Sequence, residues 1–191
     1  RGFPQLRRLR QEMAAQARRG ALAVASLGIA AALGIGIAVF QPASTVERII
    51  GPARVVDGDS LEVQDKKIRL IGIDAPELHQ DCGRTTGPYP CGEEAKRYLI
   101  RLIGASPVVC ESRRLDKYQR QLAQCSARGL DLNRQIVLDG WAVAYGKTYE
   151  AEEAVARGQY IGLWSGAFER PTDWRKARRG DLGDDDEEMP D

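Results

Sequence analysis

Apolar residues run along this chain in three rhythms. From Ala21 to Phe40 they are almost continuous: the span has no charge and is broken only by Ser26 and three glycines. From Ala53 to Ile73 they come in strand-like groups. Ala53-Arg54-Val55-Val56 is β-branched and ends at Asp57-Gly58-Asp59. Ser60-Leu61-Glu62-Val63 alternates with a period of two, Gln64-Asp65-Lys66 reads as a turn, and Lys67 to Ile73 is an Ile/Leu-rich strand. Beyond the loop Leu78 to Pro90 the period lengthens. In Glu93 to Ile103, Ala95, Tyr98, Leu99, Leu102 and Ile103 share one helical face, and Gly104 is a stop signal. Pro107 to Glu111 and Tyr118 to Cys125 read as strands around a charged turn. Leu130 to Leu138, with Leu132, Ile136 and Val137 inward, and Tyr149 to Ile161 read as helices.

The order is three strands, a helix, two strands and two helices. It predicts an α+β fold that is mainly β barrel: a five-stranded Greek-key OB-fold with three helices, preceded by one N-terminal transmembrane helix. Twenty helical residues span about 30 Å, the thickness of a bilayer core, so 21–40 is expected to be a retained anchor. The alternatives are a cleaved signal peptide and a buried soluble helix. Against the first, the exit Val39-Phe40-Gln41-Pro42-Ala43-Ser44 lacks a small-x-small cleavage pattern.

Charge sharpens this division. Residues 1–20 hold six arginines and one acid, so they form a basic N-terminus expected to stay cytoplasmic while all that follows the anchor is exported. Residues 41–51 are expected as a linker and 52–175 as the folded domain. Residues 176–191 are expected as a charged, disordered tail, whose last 11 residues carry seven acids. The body from Gln41 to Gly180 has 22 Lys/Arg against 19 Asp/Glu, an excess of three that suits a polyanion only weakly. An even set of four cysteines fits an oxidising compartment, with four reduced cytosolic thiols as the alternative. Cys82 and Cys91 flank a Gly/Pro loop, and Cys110 and Cys125 lie on neighbouring strands. The expected bridges are therefore Cys82–Cys91 and Cys110–Cys125. The spacings do not resemble a zinc knuckle.

Candidate chemistry lies at the strand ends. Asp57-Gly58-Asp59 and Asp74-Ala75-Pro76-Glu77 each look like ordinary turns. Between them, Arg69 stands in an otherwise apolar strand. It shares the parity of Ile71 and Ile73 and is expected to point inward, where an unpaired guanidinium would be very costly. It therefore calls for carboxylates or phosphate beside it. Two carboxylates at adjacent strand ends form a hard oxygen site suited to Ca²⁺ or Mg²⁺. Glu77 is placed to act as a general base on water, and arginines match phosphate oxygens bidentately. One histidine in the chain, His79, excludes multi-histidine metal sites and mechanisms.

Val55-Val56-Asp57-Gly58-Asp59-Ser60-Leu61 followed by Ile68-Arg69-Leu70-Ile71-Gly72-Ile73-Asp74-Ala75-Pro76-Glu77 resembles the thermonuclease (staphylococcal nuclease) family. So do Asp116-Lys117-Tyr118-Gln119-Arg120, Leu130-Asp131-Leu132-Asn133 and Gly140-Trp141-Ala142. The resemblance implies an OB-fold nuclease that depends on calcium, cleaves DNA and RNA, and leaves 3′-phosphate ends. It implies that Asp59 and Asp74, with the carbonyl of Ala75, hold the metal. Arg69 and Arg120 would hold the scissile phosphate, Glu77 would be the base, and Lys117 and Tyr118 would contact the terminal phosphate. Ala75 stands where the best-known member has a hydroxyl residue, and Gln119 where a glycine is usual. Tyr145 is a candidate second stacking tyrosine, with a core role the alternative. Trp141, Trp164 and Trp174 read as packing residues. The implied protein is a membrane-anchored, extracytoplasmic nuclease with a monomeric catalytic domain. The alternative is a catalytically inactive module of the same fold that binds nucleic acid or protein.

Overall fold

In the computed structural model the described residues are 46–180. The expected anchor, the basic N-terminus and the acidic residues 181–191 lie outside them. Among the described residues no helix is long and apolar enough to cross a membrane.

The main sheet is built from β1 (Glu47–Gly51), β2 (Ala53–Val55), β3 (Ser60–Val63), β4 (Lys66–Leu70), β8 (Val108–Leu115) and β9 (Gln121–Ala127), with the short β10 (Leu130–Asp131) added to β9. Its strand order is β1-β8-β9-β4-β3-β2. The two ends of that path, β1 and β2, are consecutive in the chain and separated only by Pro52. One bent first strand thus serves both edges, because proline cannot donate to a ladder and breaks the pairing there. Counting β1–β2 as one strand gives the five strands of the OB-fold, and β4 pairs β9 in parallel, Ile68 opposite Gln121 and Leu70 opposite Ala123. The segment 47–51, expected as linker, is therefore a barrel strand. Its apolar alternation is short, with Ile49 buried and Ile50 exposed, and only the pairing with β8 reveals it.

Residues Ile49, Leu61, Val63, Ile68, Leu70, Val108, Ala123 and Ala127 fill the barrel. Helix α1 (Cys91–Ile103) covers it with Ala95, Leu99 and Ile103, and α2 (Leu132–Leu138) with Leu132, Ile136 and Val137. These are the faces the periodicity predicts. Asp131 caps α2, accepting from the Arg134 N–H at 3.0 Å. Helix α3 (Glu150–Gly158) follows, then a 3₁₀ turn (Gly162–Ser165) and a further helix, α4 (Pro171–Gly180). Four α-helices stand among the described residues where three were expected. Part of the stretch read as a disordered tail, 176–180, belongs to α4.

Both expected disulfides are present, Cys82–Cys91 and Cys110–Cys125. The second joins residues directly opposite one another on β8 and β9. The first closes the hairpin of β6 (Cys82–Arg84) and β7 (Gly87–Tyr89) onto the start of α1.

Candidate active site

The strand that carries Arg69 stops sooner than its apolar pattern suggests. β4 ends at Leu70, and the chain turns through Gly72, whose φ of +80° is readily open only to glycine. It re-enters pairing as β5 (Ile73–Asp74) against β11 (Val143–Ala144). Strand parity does not run through such a turn. Ile68 and Leu70 face the core, Ile71 is exposed, and Arg69 lies on the opposite side from the core, partly covered. The expectation that Arg69 meets carboxylates holds, but the parity with Ile71 and Ile73 does not explain it. Buried Asn133 fixes the turn: its amide donates to the carbonyls of Ile71 and Ala123, and its Oδ1 accepts from the Cys125 N–H.

This turn brings Asp74 beside Asp59. Both carboxylates are buried, at 1 % and 3 % exposure. Arg69 joins them, Nη1 at 3.1 Å from Asp59 Oδ1 and Nη2 donating to Asp74 Oδ1 at 2.8 Å. Asp59 also accepts from the Ala75 N–H at 2.9 Å and the Ser60 hydroxyl at 3.0 Å. Its backbone N–H donates to Asp57, which shapes the turn. Gly58 is needed by contact: a Cβ there would lie 2.6 Å from Ala75 Cβ and 2.9 Å from Ala95 Cβ. Burial pushes the Asp59 carboxyl up, to about 7. The Arg69 guanidinium opposes that rise, and Asp57 and Asp74 add to it.

Glu77 stands at the mouth of the cluster, its side chain 35 % exposed. A tight turn locks its backbone. Its N–H donates to buried Gln80 Oε1, its carbonyl accepts from the Gln80 N–H, and Gly92 packs so close that a Cβ would meet that carbonyl at 1.8 Å. The loop 78–90 starts against Glu77, through Gln80, and is tied from there to the segment ahead of α4. Gln80 donates to the Glu169 carbonyl and the Gly83 N–H to Ala167.

The element that reaches the acids is α4, which sequence reasoning missed. Arg175 forks onto Asp74, Nη1 to Oδ1 and Nη2 to Oδ2, each at 3.0 Å, and Nη1 donates to Glu77 Oε1 at 2.6 Å. Thr172 donates to Asp74 Oδ2 at 3.0 Å. No local signal marks Arg175, since it lies in a charged helical stretch 101 residues from Asp74.

Arg120, Lys117 and Tyr118 sit in the β8–β9 turn and make no hydrogen bond or ion pair with the acids among the described residues. Arg120 donates through Nε to Asp116 at 2.7 Å, and Asp116 also accepts from the backbone N–H of Tyr118 and of Arg120. Arg120 leads directly into Gln121, the parallel partner of Ile68, and Leu122 is the partner of Arg69. It therefore enters the strand beside Arg69, two residues before that partner. Gln119, at the usual glycine position, takes φ +61° and makes the turn in the glycine conformation. Tyr118 is 58 % and Tyr145 54 % exposed, which removes the core reading of Tyr145. Trp141 stacks on Tyr98 and Trp164 packs edge-on to Phe168, both as packing residues, while Trp174 lies beneath Arg178. His79 is exposed.

Two buried hard-oxygen donors, one of them short of compensating positive charge, suit a divalent cation. Among the described residues no group of three His, Cys, Asp or Glu side chains is arranged as a metal-ligand set, so further ligands would be backbone or solvent oxygens.

Comparison with known proteins bears on these residues. Positions 67–166 match the family described as staphylococcal nuclease homologue. The chain is 33 % identical over 169 residues to the succinoglycan biosynthesis protein ExoI of Rhizobium meliloti (strain 1021), covering 82 % of this chain and 88 % of that protein. It is 33 % identical over 128 residues to the probable staphylococcal-like nuclease CAN2 of Oryza sativa subsp. japonica, covering 63 % of this chain and 32 % of that longer protein. An uncharacterized endonuclease of Escherichia coli O157:H7 is 34 % identical over 125 residues, 60 % of this chain and 75 % of its own length.

Proposed function

The chain belongs to the family of staphylococcal nuclease homologues, and on that premise we propose that it is a calcium-dependent nuclease of low sequence specificity, held to a membrane by residues 21–40 with its catalytic domain outside the cytoplasm. The observation that carries the reading is the Arg69 guanidinium spanning two buried carboxylates, Asp59 and Asp74, with Glu77 at the mouth. Asp59, Asp74 and the Ala75 carbonyl are the groups that would hold the cation. Bound there, it would supply Lewis-acid polarisation of a phosphate.

The chain's own residues supply the rest. Glu77, partly exposed on a locked turn, takes the proton of an attacking water. Arg69 and Arg120, entering neighbouring parallel strands, offer planar donors to phosphate oxygens as negative charge builds in the transition state. Lys117 and Tyr118, exposed in the adjoining turn, extend the contact to a terminal phosphate, and the products carry 3′-phosphates. The catalytic domain acts as a monomer. The uncharged span after six arginines supports the membrane attachment, and the two disulfides support an oxidising location. The glycan role in the Rhizobium relative's name is not extended to this chain, whose acids and arginines suit phosphate.

The test is degradation of DNA and of RNA by the protein with calcium and with a chelator. Calcium-dependent cleavage is expected. Glu77→Gln is expected to lower turnover by about 10²-fold or more with an unchanged circular dichroism spectrum. Retention of a DNA gel shift without any cleavage by the wild type would point instead to a binding module.

A further inference from the structure

Asp74 is saturated. An ionised carboxylate offers about four acceptor positions on its two oxygens. Arg69 Nη2 and Arg175 Nη1 take those of Oδ1, and Arg175 Nη2 and Thr172 Oγ1 take those of Oδ2. Asp59 differs: its Oδ2 accepts only the Ala75 N–H among the described residues. A cation can therefore bind Asp74 only if one of the present partners leaves.

The partners are not equally free to go. Arg69 is fixed in β4, with neighbours Ile68 and Leu70 in the barrel core. Arg175 and Thr172 ride on α4, where Pro171 alone is buried among residues 171–178, and even Ala177 is exposed. Its one large apolar side chain, Trp174, is half-buried beneath Arg178 and belongs to neither apolar cluster of the domain. Among the described side chains of α4, the hydrogen bonds and ion pairs to the domain are those of Thr172 and Arg175 with Asp74 and Glu77. Helix α4 also lies outside the span that matches the family, 67–166.

We propose that α4 is a built-in competitor of the cation. Arg175 supplies to Asp74 and Glu77 the positive charge that a bound divalent ion would supply, so docking of α4 and binding of the ion at Asp74 exclude one another. The inference rests on the calcium reading above. It adds that α4 sets the cation concentration at which the site opens, and that loading the site frees Glu77 from Arg175. Linkage makes the effect reciprocal: removing the grip must tighten the ion by the same factor by which the ion loosens the helix.

The test uses the full chain, with Arg175→Ala and, as a control on the same helix, Lys176→Ala. Calcium binding is measured by titration calorimetry, and hydrogen exchange of 171–180 is followed with and without calcium. Arg175→Ala is expected to bind calcium about tenfold more tightly, a usual size for such couplings, and Lys176→Ala as the wild type does. Saturating calcium is expected to speed exchange in α4 of the wild type. Equal or weaker binding by Arg175→Ala, or slower exchange in α4 with calcium, overturns the competition while leaving calcium-dependent cleavage intact. Absence of calcium binding in both proteins, with DNA cleavage that a chelator does not stop, overturns the calcium reading itself and the competitor with it.

Discussion

Arg69 meets Asp59 and Asp74 with two different nitrogens, one for each carboxylate. A lysine keeps the charge but has a single donor atom on a flexible stem, so it cannot hold both acids in one geometry. Arg69→Lys is expected to destabilise the domain by about 2 kcal/mol, the value of a hydrogen bond to a charged group in a covered site, read as a lower urea midpoint at constant slope. An unchanged midpoint would show that the bridge adds nothing to the fold. At this scale the sequence was informative where chemistry is local. Asp59, Asp74 and Glu77 stand in what look like two ordinary turns, and they could be read only through the arginine in the apolar strand between them and through the resemblance of the whole motif. Arg69 was expected to point inward; it lies on the side opposite the core and meets the two acids there, because the parity with Ile73 breaks at Gly72. Arg175 could not be read at all: its partners come from a contact across 101 and 98 residues that no period or spacing encodes.

Among the elements, the β8–β9 turn shows how a side chain replaces a glycine-built geometry. Asp116 gathers the N–H groups of Tyr118 and Arg120 and the Arg120 guanidinium onto one carboxylate. Burial alone would raise its pKa. The hydrogen bonds from Arg120 and Tyr118 outweigh burial and hold it below the usual carboxylate value. A depressed folded pKa gives stability that is fully present above the unfolded value, about 3.9, and is lost as pH falls through the lower folded value. Wild type and Asp116→Asn are therefore expected to differ in stability at pH 6, to begin converging at about pH 4 and to meet only below the depressed folded value, measured by denaturation at each pH. A gap that persists into acid would mean that Asp116 acts through shape and not through charge. The helices α1 and α2 and the strands β3 and β8 were legible because each buries one periodic face. β1 and the parallel pairing of β4 with β9 were not. A strand with one buried isoleucine has no pattern of its own, and parallel register is set by partners far away in the chain.

At the scale of the whole molecule, the two disulfides divide the labour of stability and of site assembly. They close loops of 9 and 15 residues, which in the chain-entropy account stabilise by about 2.6 and about 3 kcal/mol. Cys110–Cys125 lies within the barrel, between strands that a ladder of backbone hydrogen bonds also pairs. Cys82–Cys91 lies elsewhere: it pins the start of α1, where the Gly92 N–H donates to the Gln80 carbonyl, and Gln80 in turn fixes the backbone of Glu77 and reaches Glu169 on the approach to α4. Replacing either pair by alanine is expected to cost about 2–3 kcal/mol of stability. The consequences for the site are expected to differ. The Cys110/Cys125 variant, assayed well below its melting temperature, keeps its turnover. The Cys82/Cys91 variant loses turnover out of proportion to its stability, because the turn that aims Glu77 is no longer pinned from the α1 side. Equal losses of activity in the two variants would show that the bridge near Glu77 only stabilises. The same comparison under thiol reductant bears on the compartment. A domain that owes about 5–6 kcal/mol to two bridges is expected to stay folded in an oxidising space and to weaken in a reducing one.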